Sequence, residues 1–122
     1  MYIDFTICSE ENNLTLLKEL FPNSTLLLKG DLLISGKKNP YNEFNITFEL
    51  GFLYFIDEMI LSFKNFINNK KDILCDFIKE NNLKSSLCIV IKKTDELPGI
   101  SISNENLFFL TELNASIDID FI

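Results

Sequence analysis

Three segments of this chain alternate between apolar and polar residues, and each predicts a β-strand with one buried face. They cover residues 2–8, 44–50 and 115–122. Successive side chains of a strand point to opposite sides of a sheet, so this two-residue period gives each segment an apolar and a polar face. The pattern is typical of an antiparallel sheet with one face against the core and the other toward water.

Three shorter segments extend the predicted sheet to five or six strands. Residues 25–28 and 32–34 are mostly apolar and flank a glycine-containing turn, and residues 87–91 form a continuous apolar run. Such short runs between turn signals are typical of strands. We expect the first and last strands of the chain to lie side by side in the sheet.

Two other segments carry apolar residues with a helical period. Residues 10–20 predict a first helix, with Ser9 as its N-cap. Residues 54–80 keep a period of about 3.6 residues across the polar pair Asn68 and Asn69. Because asparagine side chains compete for backbone hydrogen bonds, this segment is either one long helix or two stacked helices.

A final helix is predicted between Ser103, a candidate N-cap, and Asn114, a natural helix stop. Together the elements predict a single α+β domain over residues 1–122. We expect a mostly antiparallel sheet of five to six strands, with two to four helices packed on one face. No repeat, low-complexity tract or linker indicates a domain boundary.

The composition agrees with one compact core. The chain has 122 residues, of which 47% are hydrophobic and twelve are phenylalanine. A domain of this size buries roughly two thirds of the surface that its unfolded chain exposes. No apolar run approaches the roughly 18 residues of a membrane span, and the first residues lack the basic start of a signal peptide. We therefore expect a cytoplasmic protein with no membrane segment.

The charge balance narrows the range of partners. Eighteen acidic residues against eleven basic ones give a formal net charge of −7, and all eleven basic residues are lysines. This charge repels nucleic acid, and no basic stripe is available to displace the counterions of DNA or RNA. A protein partner with a basic surface is favoured instead, because opposite charge speeds association.

The sequence offers little support for catalysis. The chain has no histidine, so neither serine nor cysteine has an imidazole base. Glycine-rich phosphate loops and G-x-S-x-G nucleophile motifs are also absent. Cys8, Cys75 and Cys88 form no C-x-x-C pair and have apolar sequence neighbours, which predicts reduced thiols in the core. We predict a protein that is not an enzyme and has no cofactor.

Three aspartates on polar strand positions are candidate partner-binding residues. If the first and last strands pair, Asp4, Asp118 and Asp120 meet on the polar face of the sheet, with Glu49 and Glu112 nearby. Three carboxylates supply part of the ligand set of a divalent cation, but the sequence contains no loop that would enclose the ion. The two alternatives are an acidic surface for a partner and an ordinary solvated face.

A turn signal at Lys29, Gly30 and Asp31 is a second candidate contact for a partner. Gly30 adopts a positive φ at lower cost than any other residue type, so the triplet suits an interaction loop. A plain hairpin turn is the alternative interpretation.

An aromatic cluster follows the middle strand at Phe52, Tyr54 and Phe55. Contiguous exposed apolar surface marks interaction sites, so the cluster is a candidate patch for a partner. Packing in the core is the alternative, because the helix that follows has to dock against the sheet.

The order of these features resembles a known bacterial family. The turn at residues 29–31 and the pattern of the last quarter of the chain are similar to the family catalogued as domain of unknown function 4279, over essentially the whole chain. The closing pattern is carried by Gly99, Ser101, Ser103, Ala115, Ser116, Asp118 and Asp120. The resemblance implies an α+β fold without an established enzyme activity. Members of such families are sometimes immunity proteins for secreted toxins.

Two positions depart from the family pattern. Phe48 stands where the family often has a tryptophan, and a basic loop is reduced to Lys37 and Lys38. We therefore expect no function that depends on a basic loop.

Three functional hypotheses follow. One is a non-catalytic protein-binding module, most concretely an acidic inhibitor or immunity-type protein that masks a bacterial effector. Another is a phage-encoded anti-defence protein, such as an anti-CRISPR that mimics the charge of nucleic acid. A small-ligand or metal-binding domain is the third. Exposed edge strands allow a homodimer as well as a monomer.

Overall fold

A computed structural model describes residues 1–51, 53, 55–93 and 97–122 as one sheet with helices against it. The elements in chain order are β1 (Tyr2–Ser9), α1 (Thr15–Leu20), β2 (Thr25–Leu27), β3 (Asn42–Glu49), α2 (Ile56–Ile67), a 3-10 turn (Asn68–Lys70), α3 (Lys71–Glu80), β4 (Ser85–Ile91), α4 (Asn104–Glu112) and β5 (Ala115–Phe121). This confirms the predicted α+β class.

The five described strands lie in the order β2-β3-β1-β4-β5. The pairs β2–β3, β3–β1 and β1–β4 are antiparallel, and the pair β4–β5 is parallel. The sheet is therefore mostly antiparallel, as predicted. The prediction that the first and last strands are neighbours is wrong, because β4 lies between them. A parallel pair needs a crossover connection, and α4 lies in the segment that joins β4 to β5.

The core lies between one face of the sheet and the helices. Ile3, Phe5 and Ile7 of the central strand β1 are completely buried, and they belong to one apolar cluster with residues of all four described α-helices. The ring of Phe5 packs on that of Phe63 in α2, with centroids 5.4 Å apart. The alternation of apolar residues in β1 therefore has the predicted consequence, and the helices cover one face of the sheet.

The long helical segment is two helices rather than one. α2 buries residues at the spacing of one helix face, from Ile56 through Ile60 and Phe63 to Ile67. The 3-10 turn then separates it from α3 at the predicted asparagine pair. Among the described residues, no helix combines the length and the apolar character that crossing a bilayer requires.

α1 begins at Thr15, five residues later than predicted. The Ser9 hydroxyl accepts a hydrogen bond from the backbone N–H of Asn12 at 2.9 Å, so it closes a turn after β1 and does not cap a helix. α4 begins as predicted, because the Ser103 hydroxyl accepts the N–H of Asn106 at 3.2 Å. Asn114 ends this segment with a φ of 48°.

The predicted strand at residues 32–34 is not formed. Leu32 makes only an isolated bridge to Lys38 within the connection between β2 and β3. Backbone hydrogen bonds nevertheless order this connection, since the N–H of Gly30 donates to Asn39 at 2.8 Å and the N–H of Asn39 donates to Asp31 at 2.7 Å. Residues 32–34 therefore form part of a folded loop that lies outside the sheet.

Candidate partner-binding face

The face of the sheet opposite the helices is polar and acidic, and we call it the open face. Its charged side chains come from the three strands β1, β3 and β5 and alternate along the chain with core residues; they are Asp4, Glu43, Glu49, Asp118 and Asp120. The five strands contain no lysine, so these carboxylates are their only charged side chains. The alternating pattern that places apolar residues in the core thus places every strand carboxylate on the other face.

The strand register arranges the open face in rows that cross the sheet. One row contains Thr47, Asp4, Cys88 and Asp118. The next row contains Glu49, Tyr2, Val90 and Asp120. Each row begins on β3, crosses β1 and β4, and ends on the edge strand β5. The carboxylates therefore spread across the width of the sheet.

The spacing of these carboxylates decides what they can bind. Asp4 and Asp118 are two strands apart, which is roughly 10 Å, and Glu49 and Asp120 are three strands apart, roughly 14 Å. Groups of three or more potential metal ligands do not occur in the described part of the chain. The two rows match separate cationic groups on a broad surface better than one ion, which needs oxygens within about 2.6 Å of itself.

Glu112, predicted to lie near this face, belongs to the helix layer instead. Its carboxylate forms an ion pair with Lys71 at 3.0 Å and ties α4 to α3. Hydrogen bonding with Glu112 is the main cause that raises the pKa of Lys71 above its usual range. Within residues 1–51, 53, 55–93 and 97–122 this is the only ion pair, so the carboxylates of the open face have no cationic partner in the described chain.

Hydrogen bonds between neighbouring strands orient polar groups on the open face. The hydroxyl of Thr47 donates to the Asp4 carboxylate at 2.7 Å. In the adjacent row, the amide of Asn45 donates to the Thr6 hydroxyl at 2.9 Å. These contacts between side chains of opposite residues hold the Asp4 carboxylate in place without neutralising it.

Cys88 lies between the aspartates of the open face. Its partial burial raises the pKa of the thiol above its usual range, and the charges of Asp120, Asp118 and Asp4 raise it further. The register places Cys88 directly between Asp4 and Asp118, with Asp120 in the next row. The thiol therefore stays protonated at neutral pH and is a poor nucleophile.

The other two thiols are also free and protonated; none of the three is fully buried, and of the predicted core thiols Cys75 alone packs against the core cluster. Cys8 is exposed at the end of the central strand β1 and donates to the Glu43 carboxylate at 3.7 Å. Partial burial of the thiol and then the charge of Glu43 raise its pKa to about 11. Burial likewise raises the pKa of Cys75 in α3 to about 11. The apolar sequence neighbours of Cys8 and Cys88 point to the opposite face of the sheet.

Lys29, Gly30 and Asp31 form the predicted turn, after the end of β2. Gly30 has a φ of 92°, and the Asp31 carboxylate accepts the backbone N–H of Leu28 at 3.0 Å. β2 and β5 are opposite edges of the sheet, so the structure does not bring this turn together with Asp118 and Asp120.

Glu43 is an open-face residue that the sequence prediction missed. The predicted strand began at Phe44, whereas β3 begins at Asn42. The alternation of polar and apolar residues already includes Glu43, so the sequence pattern was sufficient to place this residue on the polar face. In the aromatic cluster, Phe55 is 51% exposed and is therefore not a core residue. Phe52 and Tyr54 lie outside the described residues.

Two clefts lie outside the open face. One has a volume of about 440 Å³, lies between the ends of α3 and α4, and includes Cys75 and Glu112 in its lining. The other has a volume of about 310 Å³ and lies beside β3, where Ile46 and Thr47 meet Phe21 and Phe66. Both volumes lie in the lower part of the range of roughly 300–1,000 Å³ that is typical of small-molecule sites.

Comparison with models of protein families matches residues 2–122 to the family described as Domain of unknown function (DUF4279). The match spans all the elements of the sheet and of the helix layer. Searches of curated proteins and of solved structures find no match to this chain. The family description assigns no activity, so a functional argument has to start from the geometry.

Proposed function

The chain belongs to the DUF4279 family, and we propose that it is a non-catalytic protein-binding module whose open face masks a basic site on a bacterial effector. In this role it is an acidic inhibitor of the immunity type. The observation that carries the proposal is the sheet itself, which has five carboxylates and no lysine in its strands.

In the described part of the chain, the helices leave the open face to such a partner, although Val90 on that face is only 5% exposed. The helices pack on the opposite side, and the core cluster takes its strand residues from that side alone. A sheet face without a covering layer is a broad, rigid surface whose side chains stand perpendicular to it. Binding there requires little ordering of the protein, which lowers the entropic cost of association.

The charge distribution favours a partner rich in lysine or arginine. Asp118 and Asp120 lie on the edge strand, and Asp4 and Glu49 lie two to three strands away. The field of such a surface raises the rate of association with a cationic partner by roughly one to three orders of magnitude at low salt. Masking a basic site in this way explains inhibition without any chemical step.

The thiols support a binding role over a catalytic one. Cys8, Cys75 and Cys88 all have raised pKa values, so none carries the thiolate that nucleophilic catalysis needs. The chain also has no histidine to act as a base. The proposed activity uses only charge and shape.

The proposal is tested by capture with matched charge variants as bait. Asp118→Lys/Asp120→Lys reverses two charges on the open face, and Glu19→Lys/Glu80→Lys makes the same change in net charge at exposed helix positions. Each tagged bait is co-expressed with the products of its neighbouring genes. It is recovered at about 0.05 M and about 0.5 M salt, between which the Debye length falls from roughly 14 Å to roughly 4 Å. Mass spectrometry measures the stoichiometry of any partner.

We expect a stoichiometric partner with the natural bait and with the Glu19/Glu80 variant, and its loss with the Asp118/Asp120 variant or at high salt. The purified partner should have an activity that the natural chain suppresses and the Asp118/Asp120 variant does not. Equal recovery with all three baits would place the contact elsewhere. A partner whose activity does not change on binding would reject the inhibitor role.

A further inference from the structure

The strand β3 has an unpaired edge beyond the end of β2. β2 pairs with only three residues of β3, from Thr25 opposite Asn45 to Leu27 opposite Glu43. β3 itself continues to Glu49. Among the described residues, the last four of β3 therefore have a neighbouring strand on the β1 side alone.

The backbone groups on this edge belong to Thr47 and Glu49. The N–H of Leu50 donates to the carbonyl of Met1 at 3.0 Å, so even-numbered residues of β3 point their backbone groups toward β1. In an antiparallel ladder the intervening residues point the other way. Within the described chain, the N–H and C=O groups of Thr47 and Glu49 have no backbone partner on that side.

A cleft lies directly beside this edge, and its lining combines apolar side chains with polar ones that include Asn69 and Lys70. It has a volume of about 310 Å³, and Ile46 and Thr47 of β3 line it together with Phe21 and Phe66. The ring of Phe66 is half exposed and stacks on Phe48 with centroids 4.5 Å apart. The free backbone groups and the cleft therefore lie at the same place on the sheet.

We propose that this edge binds an extended segment of a partner protein as an added strand, with one apolar side chain of the segment in the cleft. Backbone hydrogen bonds to Thr47 and Glu49 supply the register, and the cleft supplies the preference for an apolar residue. The inference goes beyond the proposed function, because it assigns a second contact that does not use the edge strand β5.

The geometry also specifies the sequence of the added segment. Residues directly opposite one another in neighbouring strands share a face, so segment residues opposite Thr47 and Glu49 lie over the open face, beside Glu49 and one strand further from Asp4. The residue between them, opposite Phe48, points into the cleft. The expected segment therefore has a basic, an apolar and a basic residue in succession. A second copy of this chain is disfavoured, because its strands carry carboxylates and no lysine and would add like charges to the same face.

The test uses a seven-residue peptide in which lysine alternates with phenylalanine or valine, labelled with a fluorophore and capped at both ends. A second peptide of the same sequence is N-methylated at alternate amides, which removes its ladder hydrogen bonds. Fluorescence polarisation gives both affinities for the complete chain. Amide chemical shifts of Thr47 and Glu49 in the protein locate the peptide.

Two pairs of variants separate the backbone contact from the cleft. Thr47→Pro removes an outward N–H that the β1–β3 ladder does not use, and Thr47→Val removes the same hydroxyl but keeps the N–H. Asn69→Trp fills the cleft from the 3-10 turn, and Asn68→Trp adds the same ring to the same turn outside the cleft lining. Asp118→Lys/Asp120→Lys tests independence from the far edge of the sheet.

We expect saturable binding of the first peptide that shifts the Thr47 and Glu49 amides, and at least tenfold weaker binding of the methylated peptide. Thr47→Pro and Asn69→Trp should each weaken binding about tenfold, and Thr47→Val and Asn68→Trp should keep it within about twofold. The Asp118/Asp120 variant should also keep it within about twofold, even if it loses its natural partner. Absence of binding, or equal affinity of Thr47→Pro and Thr47→Val, would overturn the proposal.

Discussion

The side-chain amide of Asn106 joins α4 to α2 by donating to the Asp57 carboxylate at 2.6 Å and to the Asp57 backbone carbonyl at 3.0 Å. The same carboxylate oxygen accepts the N–H of Ser103 at 2.9 Å, so one aspartate fixes the start of α4. Asn106 is only 4% exposed. This buried contact holds the crossover helix of the β4–α4–β5 unit against the rest of the helix layer.

Asn106→Ala should lower the free energy of unfolding by about 1–3 kcal/mol, because the Asp57 acceptors lose a partner in a half-buried site. Urea unfolding followed by circular dichroism measures the change. Asn104→Ala, at an exposed position of the same helix, is the matched control and should change the free energy by less than about 0.5 kcal/mol. Equal effects of the two substitutions would contradict the conclusion that the Asn106 hydrogen bonds hold α4 against α2.

Asp57 should contribute a pH dependence on the acid side. The Ser103 N–H and then the Asn106 amide lower its pKa below the ordinary range, so the folded state favours the charged form. Its contribution to stability is therefore complete above its unfolded pKa of about 3.9 and disappears as the pH falls through the lower folded pKa. Urea midpoints between about pH 2 and pH 6 should show the natural chain losing its advantage over Asp57→Asn. Glu58→Gln at the next, exposed position controls for net charge, and an equal profile for it would reject the assignment.

Neutralising the edge of the open face should stabilise the protein at low salt. Asp118→Asn/Asp120→Asn reduces repulsion among carboxylates that lack a cationic partner in the described chain, with an expected gain of up to about 0.5 kcal/mol. The gain should be smaller at about 0.5 M salt, because the salt already screens the repulsion that the substitutions remove. Thermal unfolding at both salt concentrations measures it, with Glu19→Gln/Glu80→Gln as the control of equal charge. A gain that persists at high salt would show that repulsion is not its cause.

Cys88 should be slow to alkylate, and its rate should depend on the aspartates beside it. A raised pKa means a smaller thiolate fraction at a given pH, and only the thiolate reacts with iodoacetamide. In a chain with Cys8→Ser and Cys75→Ser, Asp118→Asn/Asp120→Asn should speed labelling near neutral pH. Mass spectrometry over time measures the rate. If the labelling rate increased no more than in Glu19→Gln/Glu80→Gln, burial alone would explain the raised pKa of Cys88.

The turn at residues 29–31 should depend on its glycine. Gly30→Ala should cost about 1 kcal/mol, because an L-residue is strained at a φ of 92° even though an added Cβ meets no atom within 4 Å. Gly51→Ala is the matched control, since its Cβ also has space and its φ is not in the left-handed region. It should be neutral or slightly stabilising. Thermal unfolding compares the two, and an equal loss for both would contradict the conformational explanation.

Local patterns predicted most of the elements. β1, β3 and β5 follow from two-residue alternation, because one face of each strand contacts the core. The break between α2 and α3 lies at the predicted asparagine pair, and the cap at Ser103 follows from a hydroxyl that accepts a backbone N–H three residues later. Two local predictions were wrong. The Ser9 hydroxyl accepts a hydrogen bond within a turn and does not cap α1, and residues 32–34 form only an isolated bridge in place of a strand.

The sequence by itself determined which residues lie on the open face of the sheet, since alternation places Asp4, Glu49, Asp118 and Asp120 away from the core whatever the strand order. Only the tertiary structure decided how far apart they lie. The connection through α4 makes β5 parallel to β4. In the sheet β4 lies between β1 and β5, and Cys88 at its centre therefore separates Asp4 from Asp118. Strand order depends on contacts between residues distant in the chain, and a periodic pattern contains no information about them.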